Sequence, residues 1–484
     1  MASSARLGRR SRDPQPTLLA VAELFLFLLA VVLSAPSPAL SVSTVTHLPG
    51  FRGPLPFHLE TGYVEVDEVN GAELFYYFIP SEGRPSEDPL LLWLNGGPRC
   101  SALSGLVFEV GPLKFVSAEY NGSLPNLVYH PYSWTKVANM IFVDSPVGSG
   151  FSFSRRYEGY NANDMSWSEH VYKFLIKWFI DHPQFLSNPL YISGDSYGGK
   201  IVPIVAYRIS EGNFNSTPLT TLLFGHFQGY LIGNPVTGEN FDENSQVPYA
   251  HGVGIISDGI FEMIQRSCKG QDHRNPTTVQ CASCLETFEN FCSEIYKNHI
   301  LEPKCALASP KPKDMILDRR SLKERIDLLN PPPVPDLRCR AYAYFLSYYW
   351  ANNNVVRQAL HIKKGTVEEW QRCNGDLPYA SELKSTIKYH LNLTTRGFRA
   401  LVYSGDHDLY IPFVGTKAWI KSLNFSLVDD WRSWHVEGQV AGYTMKYANN
   451  LTFATVKGGG HTAPEYRPKQ CLAMIQRWIF HEPL

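Results

Sequence analysis

The alternation of short apolar runs with longer segments of helical periodicity constrains the fold of this chain most. Buried strands of a parallel sheet read as continuous apolar runs, and successive parallel strands need a crossover segment that is usually a helix. The pattern therefore predicts an α/β fold with a mostly parallel central sheet and helices on both faces. The predicted strands are residues 90–94, 139–144, 190–193, 229–233, 398–405 and 451–460, and the clearest helices are residues 164–180 and 469–480.

The distribution of strand and helix patterns along the sequence divides the predicted core into two parts. Strand and helix patterns fill residues 50–235 and return at residues 346–484. Between them, residues 236–345 contain clustered cysteines, lysines and arginines at residues 311–325, and a proline-rich run. With 484 residues, 44% of them hydrophobic, the chain has ample material for a large core. We expect one α/β core interrupted by a cap insertion that disulfides stabilise.

The charge balance argues against a nucleic-acid partner. The formal net charge is −1, and no extended basic block stands out. Nucleic-acid binding draws much of its free energy from neutralised phosphates, and this sequence has no concentrated source of positive charge for them.

The N-terminus has the layout of a secretory signal peptide. An apolar run at residues 24–33 follows several arginines, and the small residues Ser34 and Ala35 come after it. A membrane anchor is the alternative, but spanning a bilayer takes about 20 apolar residues, and Glu23 bounds this run on one side. We expect residues 1–35 to be removed and the mature chain to have no stable membrane insertion. The arginines are Arg6, Arg9, Arg10 and Arg12.

Two further features agree with the secretory route, which ends outside the cell or in the vacuole. The chain has five Asn-x-Ser/Thr glycosylation motifs, and its nine cysteines favour disulfides, with at least one thiol left unpaired. Cys281 and Cys284 form a CxxC pair, but no second pair with zinc-ligand spacing follows, so we predict disulfides and no metal site. The predicted glycosylation sites are Asn121, Asn215, Asn392, Asn424 and Asn450.

The segment GDSYG, from Gly194 to Gly198, stands between a predicted strand and a helix-competent segment. A G-x-S-x-G pattern in this context is typical of a nucleophile elbow, a sharp turn that exposes the serine above the carboxyl edge of the sheet. Glycines at both ends permit the turn, and a helix N-terminus would lie beneath the serine. The pattern alone also fits an ordinary turn, so a catalytic role for Ser196 requires partners.

A serine hydroxyl becomes a good nucleophile when a base takes its proton, and in α/β-hydrolases an acid and then a histidine follow downstream. The sequence Asp-His-Asp at residues 406–408 follows one late strand, and His461 follows another after three glycines. Asp408 has the better spacing from the strand end. We predict Ser196, Asp408 and His461 as a catalytic triad. A loop cap is the alternative for either aspartate, and His407 is predicted as a surface histidine.

The oxyanion that forms during acyl transfer needs hydrogen-bond donors. The segment WLNGGP, at residues 93–98, follows an early strand, where α/β-hydrolases keep a glycine-rich loop. We predict that the backbone N–H groups of Gly97 and Tyr197 are these donors. Without Ser196, the same segment would indicate only a Gly-Gly-Pro turn.

An ordered set of motifs over most of the mature chain resembles the serine carboxypeptidases and the plant serine carboxypeptidase-like acyltransferases. The motifs are WLNGGPRCSALSGLVFEVGP, YSWTKVANMIFVDSPVGSGFSFS, SGDSYGGKIVP, YLIGNP, YSGDHD and GGGHTAPEYRP. The resemblance implies an α/β-hydrolase fold, the triad named above and a disulfide-bearing insertion. Some members are cut within the insertion into two disulfide-linked chains, for which residues 311–325 offer a site. It also implies a Cys100–Cys339 disulfide and others among Cys268, Cys281, Cys292 and Cys305.

The two branches of this family differ in what removes the acyl group from the serine. In the peptidases, an Asn and two Glu residues hold the terminal carboxylate of the peptide, and the two acids share a proton at low pH. Asn95 and Glu109 match two of these positions, but Asp195 stands where the peptidases have Glu. Asp195 and residues 428–444 are similar to the acyltransferase branch, which moves acyl groups from acyl-glucose esters to alcohols.

We therefore expect an acyl donor and an alcohol acceptor as substrates, no cofactor, and a cap that excludes water. A carboxypeptidase acting on peptides is the alternative, which Asn95 favours. A non-catalytic binding protein is a third hypothesis, which the intact triad disfavours. One departure from the family pattern is Arg99, which replaces a glycine beside the predicted oxyanion loop. Its side chain would clash with that loop or force a different backbone conformation, reach over the pocket to an anionic substrate group, or point to solvent.

Overall fold

The computed structural model describes residues 43–214, 224–238, 240–305 and 336–484. The predicted signal peptide at residues 1–35, the sequon at Asn215 and the predicted cleavage segment at residues 311–325 lie outside the described residues. Within the described ranges, no helix has both the length and the apolar character needed to cross a membrane.

A twelve-stranded sheet forms the centre of the structure. The strands along the chain are β1 (Ser43–Thr44), β2 (Glu60–Asp67), β3 (Ala72–Ile79), β4 (Leu90–Leu94), β5 (Leu113–Phe115), β6 (Leu127–Tyr129), β7 (Asn139–Val143), β8 (Phe153–Ser154), β9 (Ala162–Asn163), β10 (Leu190–Asp195), β11 (Phe227–Gly233), β12 (Tyr379–Ala380), β13 (Arg399–Gly405), β14 (Leu427–Val436), β15 (Gln439–Tyr447) and β16 (Leu451–Val456). The order in the sheet is β1-β2-β3-β7-β4-β10-β11-β13-β16-β15-β14, with β8 beside β3. Strands β7 to β16 in this order pair in parallel, and antiparallel pairs flank them on both sides.

The helices pack around this sheet and form part of the region between β11 and β13. They are α1 (Asp164–Asp181), α2 (Gly198–Phe214), α3 (Phe241–Asn244), α4 (Gln246–Gly252), α5 (Asp258–Ser267), α6 (Val279–Cys292), α7 (Ala341–Ala351), α8 (Asn354–Ala359), α9 (Ile387–Thr395), α10 (Phe413–Ser422), α11 (Ala463–Tyr466) and α12 (Pro468–Ile479). Helix α1 begins with a capping box, in which the side chains of Asn163 and Ser166 each accept a backbone N–H of the other. Its apolar face is buried at Trp167, Val171, Phe174, Leu175 and Trp178.

The predicted α/β fold with a mostly parallel sheet is confirmed. The central strands β4, β7 and β10 are buried along their whole length, as their uninterrupted apolar sequences require. One local prediction needs correction. The strand predicted at residues 451–460 ends at Val456, because Gly458 adopts a positive φ of 71° and turns the chain. Residues 428–444, noted only as a branch marker, lie in the β14–β15 hairpin at one edge of the sheet, beside β16.

The described part of the predicted insertion has a small apolar core of its own. Helices α4 to α6 contribute Val247, Tyr249, Ile264 and Phe288 to it. Leu409, the residue that follows the predicted catalytic aspartate, belongs to the same cluster. The insertion therefore packs directly against one of the loops that carry the predicted site.

The disulfide pairing predicted for Cys100 is wrong. Cys100 is bonded to Cys373 and not to Cys339, because an isolated β-bridge brings Cys100 and Cys373 together across 273 residues of sequence. Cys339 is instead bonded to Cys305. The backbone contact that decides the pairing joins two distant loops, so no local pattern indicates it.

The other cysteines are used in two ways. Cys268 is bonded to Cys281, as a bridge within the predicted set. Cys292, which was expected in a disulfide, is a buried free thiol, and so are Cys284 and Cys471. The disulfide at Cys281 leaves only one thiol in the CxxC segment, and the described residues contain no group of three or more metal-ligating side chains.

The predicted glycosylation sites that fall in the described residues are accessible. Asn121, Asn424 and Asn450 are exposed, and Asn392 is half-buried on helix α9.

Candidate active site

Ser196 lies at the turn between the buried strand β10 and helix α2, which begins at Gly198. Its φ of 51° is in the left-handed region, which L-residues rarely occupy. The turn is held at both ends, because the Ser196 N–H donates to Gly233 O and the Ser196 carbonyl accepts the N–H groups of Gly199 and Val236, each at 2.9 Å. A strained serine held in this way is what a nucleophile elbow requires.

The glycines of the motif are needed because strand β4 approaches this turn closely. A Cβ atom at Gly194 would lie 2.4 Å from the carbonyl oxygen of Leu94, and one at Gly198 would lie 2.6 Å from the same oxygen. On the facing loop, a Cβ at Gly96 would lie 2.3 Å from Cβ of Ser196. Only glycine fits at these three positions without movement of the backbone.

The structure brings Ser196, His461 and Asp408 together. His461 Nε2 lies 2.7 Å from Ser196 Oγ, and His461 Nδ1 lies 2.8 Å from Asp408 Oδ2. Asp408 is fully buried, while Ser196 and His461 are 9% and 6% exposed. The neighbouring aspartate, Asp406, instead accepts the N–H of Gly458 at 2.7 Å and contacts His407. The half-buried His407 makes no hydrogen bond to the three predicted catalytic side chains.

Asn234 is part of this site, and the sequence argument missed it. Its side-chain amide donates to Asp408 Oδ2 at 2.9 Å, and its carbonyl oxygen accepts the Gly405 N–H at 3.1 Å. The N–H groups of Tyr410 and Ile411 donate to Asp408 Oδ1 at 2.8 and 3.2 Å. Asn234 stands directly after β11 in the motif YLIGNP, and a polar residue at the carboxyl end of a central parallel strand was the available signal.

The electrostatic surroundings of His461 favour its protonated form. Burial lowers the pKa of the imidazole, but the charge of Asp408, the hydrogen bond to it and the charge of Asp195 outweigh burial, so the pKa lies above its ordinary value. An imidazolium formed at Nε2 is stabilised by the same carboxylate, which suits a group that must accept a proton during reaction.

We expect kcat/KM for ester cleavage to rise with pH, with a midpoint above about 6.5, the ordinary pKa of histidine. Activity rises with pH because of the role of His461. Below its pKa both ring nitrogens are protonated, so Nε2 has no lone pair to accept the Ser196 proton, and above its pKa Nε2 is free to act as a base. The measurement is kcat/KM against pH with a p-nitrophenyl ester, which requires no acceptor. Asp195→Asn removes one cause of the raised pKa and should lower the midpoint. A wild-type plateau already reached at pH 5 would contradict the prediction.

Asn95, Glu109 and Asp195, the predicted substrate-binding residues, lie beside this triad as a buried polar group. Asn95 Nδ2 donates to both carboxyl oxygens of Glu109 at 2.9 Å, and Asn95 Oδ1 accepts the Gly105 N–H at 3.0 Å. Asp195 does not join this pair by a hydrogen bond. Its Oδ1 accepts the N–H of Gly96 at 2.8 Å, so the shorter acid supports the glycine-rich loop.

Both acids of this group hold protons more tightly than exposed carboxyl groups do. Burial raises the pKa of Asp195 to about 6, although His461 and the Gly96 N–H oppose the change. Burial raises the pKa of Glu109 well above its ordinary value, and the charges of Asp195 and Glu465 add to this effect. Glu465, in the motif HTAPEYRP, was not singled out from the sequence. It accepts hydrogen bonds from Tyr344 and Thr462 at 2.8 Å.

The predicted oxyanion donors are the N–H groups of Gly97 and Tyr197. Gly97 has a positive φ of 58°, and neither N–H donates to another protein group within the described ranges. The Tyr197 side chain is held by the buried Asp164, whose Oδ1 accepts its hydroxyl at 2.7 Å. Because neither N–H has a protein acceptor in the described ranges, both stay candidates for the predicted oxyanion donors.

The Arg99 side chain is hydrogen-bonded to the backbone of residues 375–377. Its Nη1 donates to the carbonyl oxygen of Gly375 at 3.0 Å and to that of Leu377. The Arg99 carbonyl oxygen accepts the Asn374 N–H at 3.0 Å, and the Cys100–Cys373 disulfide joins the same two segments. The Arg99 side chain thus joins the glycine-rich loop to residues 374–377.

A cavity of about 1110 Å³ lies beside the turn that carries Ser196, and it has room for two small organic groups. Its lining includes Pro98 of the glycine-rich loop, Tyr197, which follows Ser196 in the chain, and Tyr410, whose ring contacts His461. Its wall also has apolar and charged residues. The apolar ones include Val236, Phe241, Leu383, Ile411 and Val414, and the charged ones are Lys200, Glu243, Asp272, Arg274 and Lys384.

A mostly parallel sheet with a serine at this strand-to-helix turn defines the molecule as an α/β-hydrolase. The chain belongs to the serine carboxypeptidase family, whose sequence profile matches residues 49–481. The resemblance inferred from the sequence motifs is thereby confirmed.

Comparison with individual proteins gives the same family. Serine carboxypeptidase-like 19 of Arabidopsis thaliana is 48% identical over 446 residues, which cover 91% of this chain and 94% of that protein. Serine carboxypeptidase-like 9 of the same plant is 47% identical over 462 residues, covering 95% and 99% of the two chains. Kex1(delta)p, a prohormone-processing carboxypeptidase from Saccharomyces cerevisiae, shares the fold with a TM-score of 0.68 at 20% identity, over 90% of this chain and 95% of that one.

Proposed function

We propose that this protein is an acyltransferase of the secretory route, extracellular or vacuolar, that moves acyl groups from acyl-glucose esters to alcohol acceptors. The observation that carries the proposal is the position of Asp195. Its carboxylate accepts the Gly96 N–H, so it supports the glycine-rich loop, and it makes no hydrogen bond to the Asn95–Glu109 pair within the described residues.

The first half of the reaction forms an acyl-enzyme. His461 Nε2 takes the Ser196 hydroxyl proton as Oγ attacks the ester carbonyl carbon, and the N–H groups of Gly97 and Tyr197 receive the oxyanion. The bond between the carbonyl carbon and the glucose oxygen then breaks. His461 returns its proton to that oxygen, so that glucose leaves and the acyl group stays on Ser196.

The second half transfers the acyl group to the acceptor. The acceptor hydroxyl gives its proton to His461 Nε2 as its oxygen attacks the acyl carbon, and Ser196 Oγ leaves and takes that proton back. Asp408 orients the imidazole throughout. Water enters by the same route as an alcohol, so transfer requires an acceptor site that competes with water.

The charges beside the triad favour a sugar leaving group over a peptide carboxylate. Asp195 and Glu109 present carboxyl oxygens, which accept hydrogen bonds from sugar hydroxyls in either protonation state. A peptide carboxylate would be repelled whenever one of them is ionised, and Asp195, with a pKa of about 6, becomes ionised as the pH rises through that value. The second candidate function is a carboxypeptidase. The Asn95–Glu109 contact favours it, because the terminal carboxylate of a peptide needs a hydrogen-bond donor such as the Asn95 side-chain amide.

Processing into two chains remains part of the proposal. The predicted cleavage segment at residues 311–325 lies between Cys305 and Cys339, which are bonded to each other. A cut there would leave both chains covalently joined.

The test offers purified, glycosylated protein an acyl-glucose ester with a mixture of alcohols and, separately, a blocked dipeptide, with products identified by mass spectrometry. We expect new esters and no released C-terminal residue. In Asp195→Glu, the added methylene pushes the carboxyl past the Gly96 N–H, and we expect transfer to fall at least about tenfold. Asp195→Asn is the matched control, because its amide oxygen keeps the Gly96 hydrogen bond, and it should retain most of the transfer activity. Release of the C-terminal residue by the wild-type protein would favour the carboxypeptidase.

A further inference from the structure

Tyr410 is in contact with the predicted general base, and nothing in the mechanism above uses it. The centre of its ring lies 5.0 Å from the centre of the His461 imidazole, and the planes meet at 85°, an edge-to-face contact. Tyr410 lines the cavity that Tyr197 also lines, and it is 47% exposed. A large aromatic ring thus stands between His461 and the open cavity.

The backbone of Tyr410 is fixed more firmly than its exposure suggests. Its N–H donates to Asp408 Oδ1 at 2.8 Å and to the carbonyl oxygen of Lys297 at 3.2 Å, and its carbonyl oxygen accepts the Gln246 side-chain amide at 2.9 Å. These contacts hold the start of the side chain over the imidazole. They do not depend on the ring, so they survive its removal.

The ring has two effects on what reaches the acyl-enzyme. It covers one side of His461, the group that must deprotonate either water or an alcohol. It also extends an apolar wall formed by Ile411 and Val414. An acceptor with an apolar body gains binding free energy by contacting this wall, whereas a water molecule gains none. During acylation His461 takes its proton from Ser196 Oγ, which already lies 2.7 Å away, whereas in the second half it takes a proton from an incoming water or alcohol, so the ring bears mainly on the fate of the acyl group.

We infer that Tyr410 is a specificity-determining residue that sets how acyl-Ser196 divides between an alcohol acceptor and water. The ring shields His461 from bulk water and binds the acceptor by aromatic contact, and the phenol hydroxyl is dispensable. This inference deepens the proposed function and rests on it, because the division matters only where alcohols compete with water.

The experiment uses the full-length glycosylated protein, p-nitrophenyl acetate as donor and benzyl alcohol as acceptor. Released p-nitrophenol counts acylation events, while benzyl acetate and acetic acid count the two fates of the acetyl group. For Tyr410→Ala we expect the ratio of ester to acid to fall about fivefold or more, the scale of one lost aromatic contact. The acylation rate should stay within about threefold of wild type, since the triad is intact.

Tyr410→Phe is the matched control, because it keeps the ring and removes only the hydroxyl, and its ratio should stay within about twofold of wild type. Unfolding temperatures of both variants, with the retained acylation rate, exclude a general loss of structure. An unchanged ratio in Tyr410→Ala, or an equal fall in Tyr410→Phe, would overturn the inference. Failure of the proposed function looks different: the wild-type protein would release p-nitrophenol but form no benzyl acetate. In that case the rate of acyl-enzyme hydrolysis is compared between Tyr410→Ala and wild type. If the variant hydrolyses its acyl-enzyme no faster, the claim that the ring shields His461 from water is overturned as well.

Discussion

Asp408→Asn is expected to lower kcat/KM for ester cleavage on the order of 10⁴-fold while the protein stays folded. The reason lies in which way the new amide must point. Asp408 Oδ1 accepts the N–H groups of Tyr410 and Ile411, so the amide oxygen takes that position. The NH₂ group then faces His461 Nδ1, which becomes the acceptor of this contact.

That reversal selects the wrong tautomer of the imidazole. With Nδ1 as acceptor, the ring proton sits on Nε2, which then cannot accept the proton of Ser196. In the wild-type protein the side-chain amide of Asn234 donates to Asp408 Oδ2. In the variant the NH₂ group takes the place of that oxygen, so two donors face each other and some stability is lost. The measurement is kcat/KM with a p-nitrophenyl ester, together with the unfolding temperature.

Asp406→Asn is the matched control for this experiment. Asp406 lies in the same loop and bonds to His407 and to the Gly458 N–H, but it makes no hydrogen bond to His461. Its activity should remain within a few-fold of wild type. Retention of a tenth or more of wild-type activity by Asp408→Asn would remove Asp408 from the proposed triad.

Ser196→Ala is expected to lower activity by a factor on the order of 10⁴ to 10⁶, to the level of the remaining binding contacts. Ser196→Gly should be equally inactive but more stable than Ser196→Ala, by about 1 kcal/mol. Glycine accepts the left-handed φ of 51° without strain, whereas alanine keeps the Cβ atom that makes this conformation unfavourable. The measurements are labelling by an organofluorophosphonate, which both variants should abolish, and the free energy of unfolding.

A second pair of variants, at Ser193, controls for the general effect of glycine. Ser193 lies in the regular part of strand β10, where φ is not positive. Ser193→Gly should therefore be less stable than Ser193→Ala, the opposite order from that at Ser196. The same order at both positions would mean that the turn at Ser196 stores no strain. Labelling that persists in Ser196→Ala would place the nucleophile elsewhere.

The sequence by itself determined the architecture and the membership of the family. Apolar runs and helical periodicity are local properties, so the central strands β4, β7 and β10 and helix α1 were predictable from neighbouring residues alone. The positions of Ser196, Asp408 and His461 were predictable because each follows a strand of the sheet, β10, β13 or β16, and parallel strands bring their carboxyl ends to one edge. Their catalytic roles stay predictions that the experiments above test.

Only the tertiary structure decided which side chains meet across distant loops. Cys100 pairs with Cys373, and Arg99 fastens the same two segments, through contacts between residues more than 270 positions apart in the sequence. Asn234 beside Asp408, and the ring of Tyr410 over His461, depend on how separate loops pack. No periodic pattern records such contacts, because the free energy of packing depends on the final arrangement of the whole chain and not on the spacing of residues along it.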